Sequence, residues 1–163
     1  MAKKSFQEEF ELYLKAGFPI LHVETLENGR ILRTIRRIAK DWGFGMTVWS
    51  RHSGLRNEDG QVSEERSLQE ALDVLLSDVD EMKDRLIVFE DVSGLLDDAE
   101  ISSRLRCFAE RLEMDEDKGG ISNAMMVLLS PVVHIPREIE PYVTLISEDI
   151  LGVKEIKQQI VKF

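Results

Sequence analysis

The sequence predicts an α/β domain: three layers, with a five-stranded parallel sheet between helices and one helix in front. Two observations carry this. Strand-like and helix-like segments alternate along the chain, as crossover connections between parallel strands require. Two of the strand-like segments, LIVFE at 86–90 and AMMVLLS at 124–130, are almost continuously apolar, which suits strands covered on both faces.

The first element is a helix over 5–16, SFQEEFELYLKA. Phe6, Phe10 and Tyr13 or Leu14 form its inner stripe and Gly17 stops it. Pro19 opens a strand that runs through Glu24. A helix follows to about Asp41, with Ile31, Ile35 and Ile38 inward, Arg30, Arg33, Arg36, Arg37 and Lys40 outward, and Gly43 as its stop. MTVWS at 46–50 is the second strand. Residues 51–66, RHSGLRNEDGQVSEER, are polar and hold two glycines, so they read as an exposed loop. Ser67-Leu68-Gln69-Glu70 fits a capping box ahead of a helix that turns Leu68, Leu72, Leu75 and Leu76 inward. LIVFE is the third strand. Asp97 or Asp98 caps the next helix, in which Ile101, Leu105, Phe108 and Leu112 repeat at helical spacing. AMMVLLS is the fourth strand and VTLI, 143–146, the fifth. Ser147 caps a last helix with Ile156 and Ile160 inside. The expected strand order, numbering these five along the chain, is 5-1-4-3-2.

Composition bounds the function. At 163 residues the chain suits one domain with its own core, and no repeat or linker divides it. No apolar run is long enough to span a bilayer, so no membrane role is expected. The net charge of −10 argues against general binding to nucleic acid, whose affinity comes chiefly from neutralising phosphates. Cys107 is the single cysteine, so no intrachain disulfide is possible and a reducing compartment is expected.

In an open parallel sheet, ligands sit beyond the carboxyl ends of the strands. Those ends are Glu24-Thr25, Trp49-Ser50, Glu90-Asp91, Ser130-Pro131 and Ser147-Glu148. The stretch LIVFED resembles the magnesium-holding strand of P-loop ATPases, although strands ending in solvated acids are common. A phosphate-binding loop needs glycines that let backbone N–H groups converge, a lysine for the phosphate oxygens and a Ser or Thr for magnesium. The first strand–helix junction has Glu24, Thr25, Leu26, Glu27, Asn28, Gly29 and Arg30: one glycine, no Lys-Ser or Lys-Thr pair, and two acids that would repel a triphosphate.

Other constellations are weaker. His22, His52 and His134 share no metal spacing with each other or with Cys107, and His22 reads as a satisfied core histidine. A Ser130–His134–Asp91 triad can be assembled on paper, without the nucleophile elbow that would support it. Trp49 stacks on a base or partner, or packs on a helix. Arg104 and Arg106 imitate an arginine finger or form a solvated helix face. The arginine-rich face of the 28–41 helix meets an acidic partner or anion, or is simply solvated.

Five stretches then carry a family resemblance: ELYLKAGFPILHVETLENGRILRTIRRIAKDWG, VWSRHSGLR, LIVFEDVSGLLDD, SRLRCFAERL and VLLSPVVHIPREIE. They resemble the N-terminal half of AAA-type proteins encoded in cyanobacteria and plastids, and more widely in bacteria, as a hypothetical chloroplast reading frame. The likeness covers most of residues 9–150. It implies a degenerate AAA-like module, without a Walker A loop, that precedes an intact ATPase module; this chain is then a fragment or a stand-alone relative. With one short helix after the fifth strand, no AAA lid is expected. The implied function is non-catalytic: protein interaction, assembly or regulation, with an AAA ATPase module or another copy as partner, no cofactor, and a cytoplasmic or plastid-stromal location. The interaction surface is expected at Trp49, Arg51, His52 and Arg56 with the 51–66 loop. The alternative is a nucleotide-binding or weakly hydrolytic domain. In it Thr25, Asn28, Gly29 and Arg30 contact the phosphates of ATP, Glu90 or Asp91 holds magnesium, and Ser130 acts as sensor.

Overall fold

The computed structural model describes residues 5–57, 67–114, 120–121 and 123–147. Helix α1 (Phe6–Ala16) starts where the Ser5 side chain accepts the Glu8 N–H, and ends at Gly17. Gly17 takes φ +80°, a left-handed turn that a side chain would strain. Strand β1 (Ile20–Glu24) leads into α2 (Asn28–Trp42), which Gly43 ends in the same way at φ +74°. Strand β2 (Gly45–Ser50) turns back into β3 (Gly54–Arg56), and α3 (Leu68–Ser77) begins with Ser67 accepting the Glu70 N–H, as the capping box requires. Strand β4 (Arg85–Glu90) precedes α4 (Ala99–Glu113), whose cap is Asp98 rather than Asp97: its carboxylate accepts the Glu100 N–H at 2.8 Å. Strands β5 (Met125–Ser130) and β6 (Val143–Ser147) complete the sheet. The expected final helix lies outside the described residues.

The sheet has six strands in the order β3-β2-β4-β5-β1-β6. Every pairing is parallel except β2–β3. The five predicted strands therefore keep the order 5-1-4-3-2. The correction is β3, an antiparallel edge strand inside what reads as an exposed loop. The Ser50 hydroxyl accepts the Ser53 N–H and meets the Ser53 hydroxyl, which closes a tight turn over residues 51–53. Gly54 then takes φ +64°, and Leu55 is buried opposite Trp49. A strand with one buried apolar residue leaves no alternation to read.

Alternation along the parallel strands divides the core in two. Leu21, Val23, Leu86, Val88, Val127 and Leu129 face α1 and α2, together with Phe10, Ile31, Ile35 and Ile38. Ile20, Ile87, Phe89, Met126 and Leu128 face α3 and α4, together with Leu72, Leu105 and Phe108. No α-helix intervenes between β5 and β6. The connection runs through turns anchored by the fully buried Ile139.

Candidate functional site

The carboxyl ends of β1, β4 and β5 meet at one edge of the sheet. Only Thr25, Leu26 and Glu27 separate β1 from α2. Thr25 is buried; its hydroxyl accepts the Glu27 N–H at 3.0 Å and its own N–H donates to the Ser130 carbonyl. This threonine thus shapes the turn. Glu27 stands at the start of α2; its carbonyl accepts the Ile31 N–H, while its side chain makes no cap bond and pairs with Arg30. Gly29 lies in the first turn of α2. A Cβ placed there would meet only the Arg33 side chain, at 3.9 Å, so no close backbone approach calls for glycine. Asn28 donates to the Asp91 carboxylate at 3.1 Å and so ties α2 to the end of β4. Asp91 sits at φ +53°, in the left-handed region that Asp tolerates better than most residues.

Glu90 follows Leu86 and Val88 onto the α1/α2 face. Its carboxylate pairs with Arg56 of β3 at 3.2 Å. Burial raises its pKa, opposed chiefly by the Arg56 charge. The Arg56 Nε is buried without a hydrogen-bond partner.

Ser130 is fully buried and follows Met126 and Leu128 toward the opposite, α3/α4 face. Its hydroxyl donates to the Val132 carbonyl at 2.8 Å and lies 2.7 Å from His22 Nε2. A hydroxyl has one proton, so Nε2 must be the donor in the second contact and Nδ1 carries the lone pair. His22 Nδ1 is buried with no partner. Burial holds the imidazole pKa down at about 4, so the ring is neutral. Beside it lies a pocket of about 50 Å³, bounded by Ser93, Gly94, Asp97 and His134, with room for about one or two waters.

Several expectations are corrected by this geometry. Ser130 and Glu90 point to opposite faces of the sheet, so of the two magnesium candidates of the alternative nucleotide site only Asp91, which meets Asn28, stands with the β1–α2 junction. The paper triad does not assemble: Ser130 engages His22, His134 pairs with Asp97 at 2.8 Å, and Asp91 is held by Asn28. Trp49 does not belong to an interaction surface; it is 2% exposed and packs at a tilt on Phe89, because it is the last residue of β2 to face the α3/α4 core. Arg51 and His52 are exposed as expected, with Arg51 donating to the Ser93 carbonyl. Arg56 is half-buried in its ion pair. Arg104 is held by Asp73 and Glu100, and Arg106 by Glu110 and Glu138. Among the described residues no cluster of His, Cys, Asp and Glu is placed to hold a metal, and no helix is long and apolar enough to cross a membrane. His22 reads as a satisfied histidine, and the structure satisfies only one of its nitrogens.

Replacing Ser130 with alanine strands the buried His22 N–H and removes the bond to the Val132 carbonyl. We expect a loss of about 1–3 kcal/mol in urea unfolding. Adding His22→Phe should cost less than the sum of the two single changes, because they remove one shared contact.

The model for the N-terminal domain of SpoVK-like AAA ATPases matches residues 6–147. An uncharacterised AAA-domain-containing protein, ycf46, of Trieres chinensis is 23% identical over 159 residues, which is 96% of this chain and 30% of that protein. The chain thus spans under a third of the length of this curated relative. Two solved chains share the fold. One, from the Drosophila ORC bound to AT-rich DNA and Cdc6, has a TM-score of 0.53 at 12% identity, over 85% of this chain and 51% of its own. Another, from Drosophila ORC bound to DNA, has a TM-score of 0.51 at 11% identity, over 87% and 86%. With the parallel core in the order 5-1-4-3-2 and a family match across nearly all of the described residues, the chain belongs to the SpoVK-like AAA ATPase N-terminal domain family.

Proposed function

We propose that this domain serves an AAA ATPase without catalysing anything itself, through protein interaction, assembly or regulation. Its partner is an AAA ATPase module or another copy of the domain. The observation that supports this reading is the β1–α2 junction. A phosphate loop of the P-loop type is about eight residues long, rich in glycine, and ends in Lys-Ser or Lys-Thr. Here three residues make the turn, and the hydroxyl of Thr25 is already committed to the Glu27 N–H. A carboxylate stands where the helix start would favour an anion, and its charge opposes a phosphate there. Asn28 and Asp91 bond to each other across the neighbouring strand end. In the alternative reading, ATP and magnesium would have to break these contacts before binding.

Sedimentation velocity and a phosphate-release assay test the proposal. The chain should show the same mass distribution with and without Mg-ATP, and should release no phosphate above blank. Release of phosphate from Mg-ATP would contradict the non-catalytic role, and a change in mass that depends on Mg-ATP would favour the alternative, nucleotide-binding reading.

A further inference from the structure

Helix α2 carries Arg30, Arg33, Arg36, Arg37 and Lys40 on its exposed side, in a chain whose net charge is −10. Arg30 pairs with Glu27, and Arg37 donates to Gln7 of α1. Glu90 feels the charge of Arg36, and Asp41 adds one carboxylate at the helix end. Arg33, Arg36 and Lys40 follow one another at helical spacing, so they line one stripe. That stripe borders a groove of about 340 Å³ between α2 and β2. Ala39, Phe44, Met46 and Val48 make the floor, and Arg36 and Lys40 stand on the rim. The apolar surface continues sideways, because the ring of the part-exposed Trp42 packs edge-on against Phe44. A volume in the range of ordinary ligand pockets, about 300–1,000 Å³, admits a large side chain.

We propose that this groove docks an acidic segment of a partner protein. A large apolar side chain of that segment seats on Phe44, Met46 and Val48, and its flanking carboxylates pair with Arg36 and Lys40. The inference deepens the interaction role proposed above and rests on it for the existence of a partner. Charge complementarity selects the occupant: two cations on the α2 side of an apolar floor, with the neutral Asn57 as the other polar lining residue, reward neighbouring carboxylates and apolar side chains and penalise a basic segment. Nucleic acid fits less well. Its backbone gains nothing from an apolar floor, and the net charge of the chain repels it.

The test is selection of a displayed library of random short peptides on the intact chain. Fluorescence anisotropy then follows the enriched sequences, made as labelled synthetic probes. The enriched peptides should set Leu, Ile or Phe beside Asp or Glu, and their affinity should fall as salt is raised. Arg36→Glu and Lys40→Glu should each weaken binding by about ten-fold or more. Arg106→Glu, the same charge change on the opposite layer, should leave binding unaltered. Circular dichroism confirms that each variant is folded. The proposal is overturned if no peptide is enriched, if the pattern is absent, or if Arg106→Glu weakens binding equally. Preferential binding of a mixed-sequence DNA duplex through Arg36 would also overturn it. So would dimerisation that Arg36→Glu abolishes, which would assign the face to a second copy. Binding that emerges only when residues 58–66 are replaced by a Gly–Ser linker would assign the groove to the chain itself. Phosphate release from Mg-ATP would defeat the non-catalytic reading and leave this result standing; failure to enrich a peptide would do the reverse.

Discussion

Replacing Phe10 with alanine should lower the unfolding free energy by about 3–5 kcal/mol. Phe10 is fully buried among Leu21, Ile35 and Ile38, so it fixes α1 to the face of the sheet that α2 also covers. Polar contacts at the helix surface, Arg37 to Gln7 and Trp42 to Glu11, do not replace a lost aromatic core contact. In a domain of this size the change should lower the melting temperature by roughly 10 °C or more. Leu12 lies in the same helix but is 46% exposed, and Leu12→Ala should stay within about 0.5 kcal/mol. Urea unfolding of both variants checks the contrast. Equal small losses would mean that α1 is a loosely held appendage rather than part of the core.

Acid should destabilise the fold through His22. In the unfolded chain its imidazole titrates near 6.5; in the folded chain burial lowers this to about 4. Between those values the unfolded state binds more protons than the native one, so stability falls as pH falls. The contribution is fully present above pH 6.5 and is lost progressively toward pH 4. With about 1.4 kcal/mol per pH unit, the full loss is roughly 3 kcal/mol. Glu90 acts in the opposite direction, because its raised folded pKa favours the native state as pH falls. The difference between wild type and His22→Phe, followed by urea unfolding across this range, isolates the histidine. Parallel curves for the two proteins would remove His22 from the account.

The elements were legible in the sequence because their signals are local. The glycines after α1 and α2, the serine that opens α3 and the continuous apolar runs of β4 and β5 each act within a few residues. The site was less legible because it depends on register. Glu24 pairs with Ser130, and His22 with Leu128, across more than a hundred residues. Nothing near His22 reveals that Ser130 will bond it and leave the other nitrogen bare. Likewise, Arg56 meets Glu90 only because a short antiparallel strand joins the edge of β2. Trp49 is ambiguous in the sequence for a related reason. A strand-end aromatic can be the last core residue or the first surface one, and the added β3 with Leu55 decides in favour of the core.

The most direct test of the central claim is calorimetric titration of the chain with ATP and with ADP, with and without magnesium. It should be run at two temperatures, so that a vanishing enthalpy at one is not mistaken for no binding. At about 100 μM protein we expect no heat beyond dilution, which places any affinity weaker than roughly millimolar. Micromolar binding that needs magnesium and disappears with Arg30→Ala as well as with Asp91→Asn would show that the short β1–α2 junction and the end of β4 hold Mg-ATP after all, and would contradict the account.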